Sequence, residues 1–406
     1  MSAFRYEAVD QTGKIFKGVL TADAAKLARN ILRDRDLTPL KIEPIHAEHN
    51  EGKGNGGNYL FDKLSNSELL LFTRQLASLL EAALPLDQAL GALLDQAERN
   101  YSRDLIAAIK ADITGGSSLS KSLERHGKDF PTIYRALVTA AEQIGQLGSV
   151  LSRLADYMER RDALIHKVRL AFTYPAIVTI VALAVVIFLL TYVVPQIVAV
   201  FANTKQELPL LTQIMLASSN FLKKWGLIIG LMIIFSLLFF RLSLRNPHIK
   251  LLWDSKTLSF PGYGNFERSL NSVRFSSTLA IMTSSGVPIL IALENSKETL
   301  SNERMRKNVD EIIENVRSGS TLNQAISIYK TFPPLLTHMI RAGEITGNLP
   351  IMLQKAAQSQ EQDFERRAMR MASLLEPVLI LSMGLFVLMI VLAVLMPIIE
   401  INQLLR

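Results

Sequence analysis

Two short stretches of the chain carry the same charged turn. Glu142-x-x-Gly145-x-Leu147 and Glu344-x-x-Gly347-x-Leu349 each set a carboxylate three residues ahead of a glycine, between amphipathic runs. Glycine there supplies the positive φ that ends a helix, so the pair reads first as two structural turns and second as exposed turns that dock a partner. Glu376, beside Pro377, is the nearest approach to a charge within an apolar run. Ionisable groups inside membrane spans mark ion pathways, but a single Glu at the start of such a run reads as interfacial, close to helix amides, with partner contact as the other option. Hydrolytic chemistry is not encoded. The pairs Gly13-Lys14, Gly52-Lys53 and Gly127-Lys128 lack the leading Gly and following Ser or Thr of a phosphate-binding loop. None of the six His residues stands in an HExxH arrangement, and no Gly-x-Ser-x-Gly elbow occurs. Cysteine is absent, which excludes disulfides, zinc thiolates and a thiol nucleophile. The expectation is a protein that is not an enzyme.

The charged turns recur because the chain is written twice. Phe72-Thr-Arg-Gln-Leu76-Ala77 returns as Phe275-Ser-Ser-Thr-Leu279-Ala280, and Pro85 returns as Pro288, each 203 positions later. Gly116 and Leu119 return as Gly319 and Leu322 at the same offset. One deletion then makes the offset 202, which pairs Glu142 with Glu344, Gly145 with Gly347, Pro175 with Pro377 and Pro195 with Pro397. A unit of this length is a duplicated domain and not a solenoid repeat. Each copy reads as a bundle of short helices, of roughly 10–15 residues each, at 65–169 and 266–371. In the first copy the periodicity breaks at Leu84-Pro85, Thr114-Gly-Gly116, Phe130-Pro131 and Gly145 to Gly148, with matching breaks in the second. Ser65-x-x-Glu68 and Thr321-x-x-Gln324 have capping-box spacing.

Three apolar runs read as membrane spans, at 170–194, 222–241 and 374–399. Pro175 to Pro195 and Pro377 to Pro397 bracket two of them, and each bracket reaches roughly 30 Å, the thickness of the hydrocarbon core. The uncharged part of the middle run, Trp225 to Phe240, reaches only about 24 Å. It crosses if Lys224 and Arg241 snorkel; a buried core helix is its alternative. Duplication supports the crossing, because two like bundles facing one solvent require the chain to return before the second is made. Arg160, Arg161, His166, Lys167, Arg169, Arg241, Arg245, Lys250, Arg366, Arg367 and Arg370 flank one side, against Lys205, Lys223, Lys224 and Glu400 on the other. That bias predicts the N-terminus and both bundles in the cytoplasm, with the loop 195–221 and tail 400–406 outside. The net charge of +7 belongs to these flanks, and with no basic stripe interleaved with aromatics no nucleic-acid partner is expected.

Residues 1–45 alternate like a small α/β unit. Phe4 to Val9 and Ile15 to Leu20 read as strands, Ala22 to Arg33 as a helix, and Leu37 to Ile42 as a third strand. The Gly-rich stretch within 46–62 reads as a flexible linker. Met1 to Glu7 lacks the pattern of a signal peptide, so the first segment is expected on the side of synthesis. The expected fold class is mainly α: a polytopic membrane protein with two homologous cytoplasmic helical bundles, three transmembrane helices and a small N-terminal α/β unit.

The whole chain resembles the type II secretion system protein F family, also called general secretion pathway protein F. The residues that carry the resemblance are Phe4-Arg-Tyr-Glu-Ala-Val-Asp10 with Gly13-Lys14 and Lys17-Gly18, then Thr73-Arg-Gln-Leu-Ala77 and Leu151-Ser-Arg-Leu-Ala-Asp-Tyr157. Ala342-Gly-Glu-Ile-Thr-Gly-Asn-Leu349 and Leu395-Met-Pro-Ile-Ile-Glu-Ile-Asn-Gln403 complete the set. The type IV pilus assembly protein C family shares the duplicated bundle and the Ala-Gly-Glu turn but fits less well at both ends. The resemblance implies a multi-pass inner-membrane platform of a Gram-negative bacterium, with a cytoplasmic N-terminus and a periplasmic C-terminus. Such a platform couples a cytoplasmic secretion ATPase to pseudopilus assembly and export of folded proteins across the outer membrane. The implied partners are that ATPase, its bitopic inner-membrane recruiter, pseudopilins, membrane lipid and further copies of the chain. No cofactor is required. Some members bind Ca²⁺ on the first bundle; the matching positions here are Glu98, Ser152 and Asp156, with Ser152 where a Glu is expected. A pilus assembly platform is the alternative, and a transporter a third reading that the nearly uncharged spans disfavour.

Overall fold

The computed structural model describes residues 2–22, 24–34, 36–45, 63–196, 209–329 and 331–404. The linker read at 46–62 lies outside the described residues. Near the N-terminus, β1 (Ser2–Val9), β2 (Ile15–Ala22), α1 (Ala25–Arg33) and β3 (Thr38–Ile45) form a three-stranded antiparallel sheet of order β2-β1-β3 with one helix. Alternation in β1 aims Phe4 at Ala28 and Leu32 of α1, and all three are buried. Gly13, at φ 83°, closes the β1–β2 hairpin, with the Asp10 carboxylate accepting the Thr12 and Lys14 amides. Pro39 and Pro44 suit β3 to the sheet edge, where a missing N–H costs no ladder bond.

The first copy contains α2 (Asn66–Glu81), α3 (Leu86–Gln96), α4 (Asn100–Thr114), α5 (Leu119–Arg125), α6 (Thr132–Ile144) and α7 (Leu147–Phe188). A π-helical turn at Leu189–Val193 follows, then α8 (Leu210–Ser243) and α9 (Pro247–Ser259). The second copy contains α10 (Tyr263–Ser284), α11 (Ile289–Glu298), α12 (Glu303–Arg317), α13 (Leu322–Ile328), α14 (Pro334–Thr346) and α15 (Leu349–Leu404). The repeat arithmetic reproduces these bounds. α4 and α12, like α5 and α13, begin 203 residues apart, and α6 and α14 begin 202 apart. The single deletion falls in the connection that holds Phe130-Pro131 in one copy and Phe332-Pro333 in the other.

The chain divides into two compact units. The first comprises Met1–Asp162, Asn271–Ser301 and Met305–Ser359. Within it, β1 is held to α4 by Arg5, whose guanidinium pairs with the buried Asp104. The first bundle packs around Leu76, Leu90, Ile109, Leu123, Leu137 and Leu154, all fully buried, each contributing about 1.5–3 kcal/mol of hydrophobic stabilisation. The rings of Phe130 and Tyr134 pack tilted at 5.2 Å, as do those of Phe275 and Phe332 at 4.7 Å in the second bundle. The turn that follows α2 holds Ala83 at φ 60°, whereas its counterpart Gly286 has φ 79°. A Cβ in the left-handed region costs about 1 kcal/mol. Ala83→Gly will therefore stabilise the solubilised chain by up to about 1 kcal/mol and Gly286→Ala will destabilise it by about as much, read as opposite shifts in melting temperature.

The second unit comprises Ala163–Leu270, Asn302–Arg304 and Gln360–Arg406. Among the described residues, three helical segments are long and apolar enough to cross a membrane: Leu147–Gln196, Leu210–Ser243 and Leu349–Met396. The expectation of short bundle helices fails at the last helix of each copy, because α7 has 42 residues and α15 has 56. Pro175 and Pro377 lie inside these helices and do not end them. Each removes one backbone bond, and in an apolar medium keeping all the others outweighs that loss. The middle helix starts at Leu210, within the stretch read as the loop 195–221, of which 197–208 lies outside the described residues. Its early part is ordered by packing: Met215 is buried with Leu190, Val194, Ile390 and Ala393, and Thr212 Oγ1 donates to the Ala393 carbonyl at 2.5 Å.

Candidate functional site

The twin glutamates have a specific task. A helix of seven residues leaves its first amides without partners and is too short to be stable alone. In α5 the Ser118 side chain accepts the Lys121 N–H, while the Glu142 carboxylate accepts the N–H groups of Leu119 at 2.6 Å and Ser120 at 3.2 Å. In α13, Thr321 accepts from Gln324, and Glu344 accepts from Leu322 at 2.6 Å and Asn323 at 3.2 Å. Gly145 and Gly347, both at φ 68°, end α6 and α14 so that α7 and α15 can start at once. In both bundles the turn joins two consecutive helices through a left-handed glycine. Its carboxylate is a tertiary cap, which the local reading did not include.

The first bundle also contains a cavity of about 520 Å³ between α2, α3 and α4, of ligand-pocket size. Leu71, Phe72, Leu93, Leu105, Ile106 and Ile109 supply its apolar wall. Its rim is polar. Gln75 and Gln96 meet across it at 3.0 Å, and Glu68 pairs with Arg99 at 2.8 Å. Burial raises the Glu68 pKa, but bonds from the Ser65 backbone and hydroxyl, the Ser102 hydroxyl and the Arg99 charge together outweigh it and hold the carboxyl below its usual 4.5. A depressed folded-state pKa stabilises above the unfolded value, and that contribution is lost as pH falls through the folded one. Acid titration of the melting temperature will show a limb below about pH 4.5 that flattens in Glu68→Gln.

The other residues singled out by sequence do not converge. Asp156 accepts from Arg74 at 2.6 Å, and Glu159 accepts from the same guanidinium at 2.8 Å, which raises the Arg74 pKa further above its already high value. Glu98 sits exposed on the cavity rim. Calcium takes six to eight oxygens, and the described residues hold no cluster of three His, Cys, Asp or Glu that could bind a metal. With a guanidinium on Asp156 and a hydroxyl at Ser152, the donor set does not fit a calcium cage. Glu376 is exposed on α15, with no partner among the described residues. Asp129, not singled out by sequence, is buried in the first bundle and accepts the Leu64 N–H at 2.9 Å and the Tyr101 hydroxyl at 2.8 Å.

A small α/β domain, a helical bundle made twice and three apolar helices define a multi-pass membrane protein with internal duplication. The chain belongs to the type II secretion system protein F family. The family's sequence model, "Type II secretion system (T2SS), protein F", matches residues 72–195 and again 275–397, and the model of its N-terminal domain matches 1–43. The chain is 41% identical over 405 residues to the type II secretion system protein F of Pseudomonas aeruginosa, covering 100% of both chains. It is 39% identical over 407 residues to that of Vibrio cholerae, covering 100% of this chain and 99% of the relative. The type IV pilus assembly protein PilC of Thermus thermophilus is 34% identical over 407 residues, with 99% and 98% covered. Both repeat matches begin at the phenylalanines Phe72 and Phe275 that anchor the two cores.

Proposed function

We propose that the chain is the inner-membrane platform of a type II secretion system, coupling a cytoplasmic secretion ATPase to pseudopilus assembly and export of folded proteins. The observation that carries this reading is the order of parts: bundle, span, returning span, bundle, span. Three crossings with an intervening return keep both bundles on one side, and the Lys and Arg flanks favour the cytoplasm for that side. The bundles then offer two related surfaces to the ATPase, its bitopic recruiter and the pseudopilins, with no catalysis by the platform itself. The type IV pilus alternative draws on the relative named as a pilus assembly protein. A reporter-fusion map tests the arrangement. Fusions after residues 205 and 406 will report the periplasm, and fusions after 60 and 300 the cytoplasm. Opposite compartments for positions near 100 and 310 would end the reading. Gene deletion separates the two machineries, since loss of secretion with pili intact selects the first.

A further inference from the structure

The duplication supplies an internal control for the first-bundle cavity. Ala97 and Ser102 line the cavity. At the matching positions the second bundle carries Leu300 and Met305, which are 1% and 0% exposed. Leu71, 57% exposed at the cavity edge, matches Arg274, and the exposed Glu98 matches Ser301. In the second bundle Arg274 Nη1 donates to Ser301 Oγ at 3.1 Å. At these positions the second bundle thus sets two buried bulky apolar side chains and one cation, and the cation is bonded at the position where the first bundle presents a carboxylate.

We propose that the first-bundle cavity is a docking groove for a helical segment of a partner protein, which inserts bulky apolar side chains and sets a Lys or Arg against Glu98. This assignment rests on the platform reading and names the bundle and the partner chemistry that reading leaves open. An amphipathic helix laid in an apolar groove is a common recognition mode. Exposed Leu71 and Glu98, which has no partner among the described residues, give the groove the mixed edge that such a helix requires. The second copy carries buried Leu300 and Met305 at the positions where the first lines the groove with Ala97 and Ser102.

Two fluorescent helical peptides with the same Leu stripe, one flanked by Lys and one by Glu, test the proposal against the full chain in lipid nanodiscs. The Lys peptide will bind tighter by at least about threefold at low salt, the effect of one rim ion pair. Glu98→Lys, a surface change, will reverse the order. Ala97→Leu combined with Ser102→Met, which copies the second bundle, will weaken binding by more than about thirtyfold with the helical circular dichroism retained. Absence of binding by both peptides, unchanged binding by the plugged variant, or a chain dimer that the plugged variant dissociates without peptide would each overturn the proposal. Co-purification of the ATPase with the wild-type chain reads the platform function separately. Peptide failure with the ATPase retained removes the groove alone, and ATPase loss with peptide binding intact removes the platform reading alone.

Discussion

Glu142→Ala will cost the first bundle about 2–3 kcal/mol, and Glu344→Ala will cost the second about the same. Each carboxylate satisfies two amides at the start of a seven-residue helix, where the helix end also favours negative charge. Leu119 and Leu322 are 1% and 3% exposed, so water does not replace the lost acceptor. Each unmade bond then carries the desolvation cost of its N–H. Glu→Gln keeps one oxygen in place and will lose about half as much. Thermal melts of the solubilised chain measure the stability change. Hydrogen exchange over 119–125 and 322–328 assigns it, because only those short helices lose their caps. Unchanged exchange in both Ala variants would refute the capping role. Gly145→Ala acts on the same turn by another route, since φ 68° disfavours any Cβ; its exchange effect will centre on the end of α6.

Local rules make much of this fold legible. Matched Pro and Gly breaks locate α4, α5 and α6 and their copies, and the capping spacings at Ser65 and Thr321 form as written. Interactions between distant positions are harder to read. Glu142 meets Leu119, which is 23 residues away, and nothing in the turn's own spacing names that partner. Asp129 and the Arg5–Asp104 pair are hidden for the same reason. The length of α8 escapes an apolar-run criterion because Thr212, Gln213, Ser218, Ser219 and Asn220 interrupt its hydropathy, yet Thr212 and Ser219 are buried and the helix continues through them. Pro175 and Pro377 mislead as boundaries because the rule against proline within helices weakens where no water competes for the remaining backbone bonds. The cavity is legible only by comparing the copies, since Ala97 and Ser102 are unremarkable until set against Leu300 and Met305.

Gly343→Ala will destabilise the second bundle by about 2–3 kcal/mol, although alanine is the better helix former. A Cβ on Gly343 would lie 2.7 Å from the Leu349 Cα, and 3.2 Å from both Leu349 Cδ1 and Met352 Cβ. The nearest atom is backbone, so α14 and α15 must separate to admit it. The first bundle carries Ala141 at the matching position, fully buried, and its helices already accommodate the methyl group. Ala141→Gly will therefore cost only about 1 kcal/mol, from helix propensity and a small void. Four residues of Ala342-Gly-Glu-Ile-Thr-Gly-Asn-Leu349 then have a physical role. Gly343 permits close approach, Glu344 caps α13, Gly347 takes the left-handed turn, and Leu349 begins α15. Because the clash is with backbone, trimming the neighbour will not relieve it, and Gly343→Ala with Leu349→Ala will be less stable than either change alone. Recovery of the wild-type melting temperature in that double variant would show that the contact is only between side chains, and would remove the argument for close helix approach at this turn.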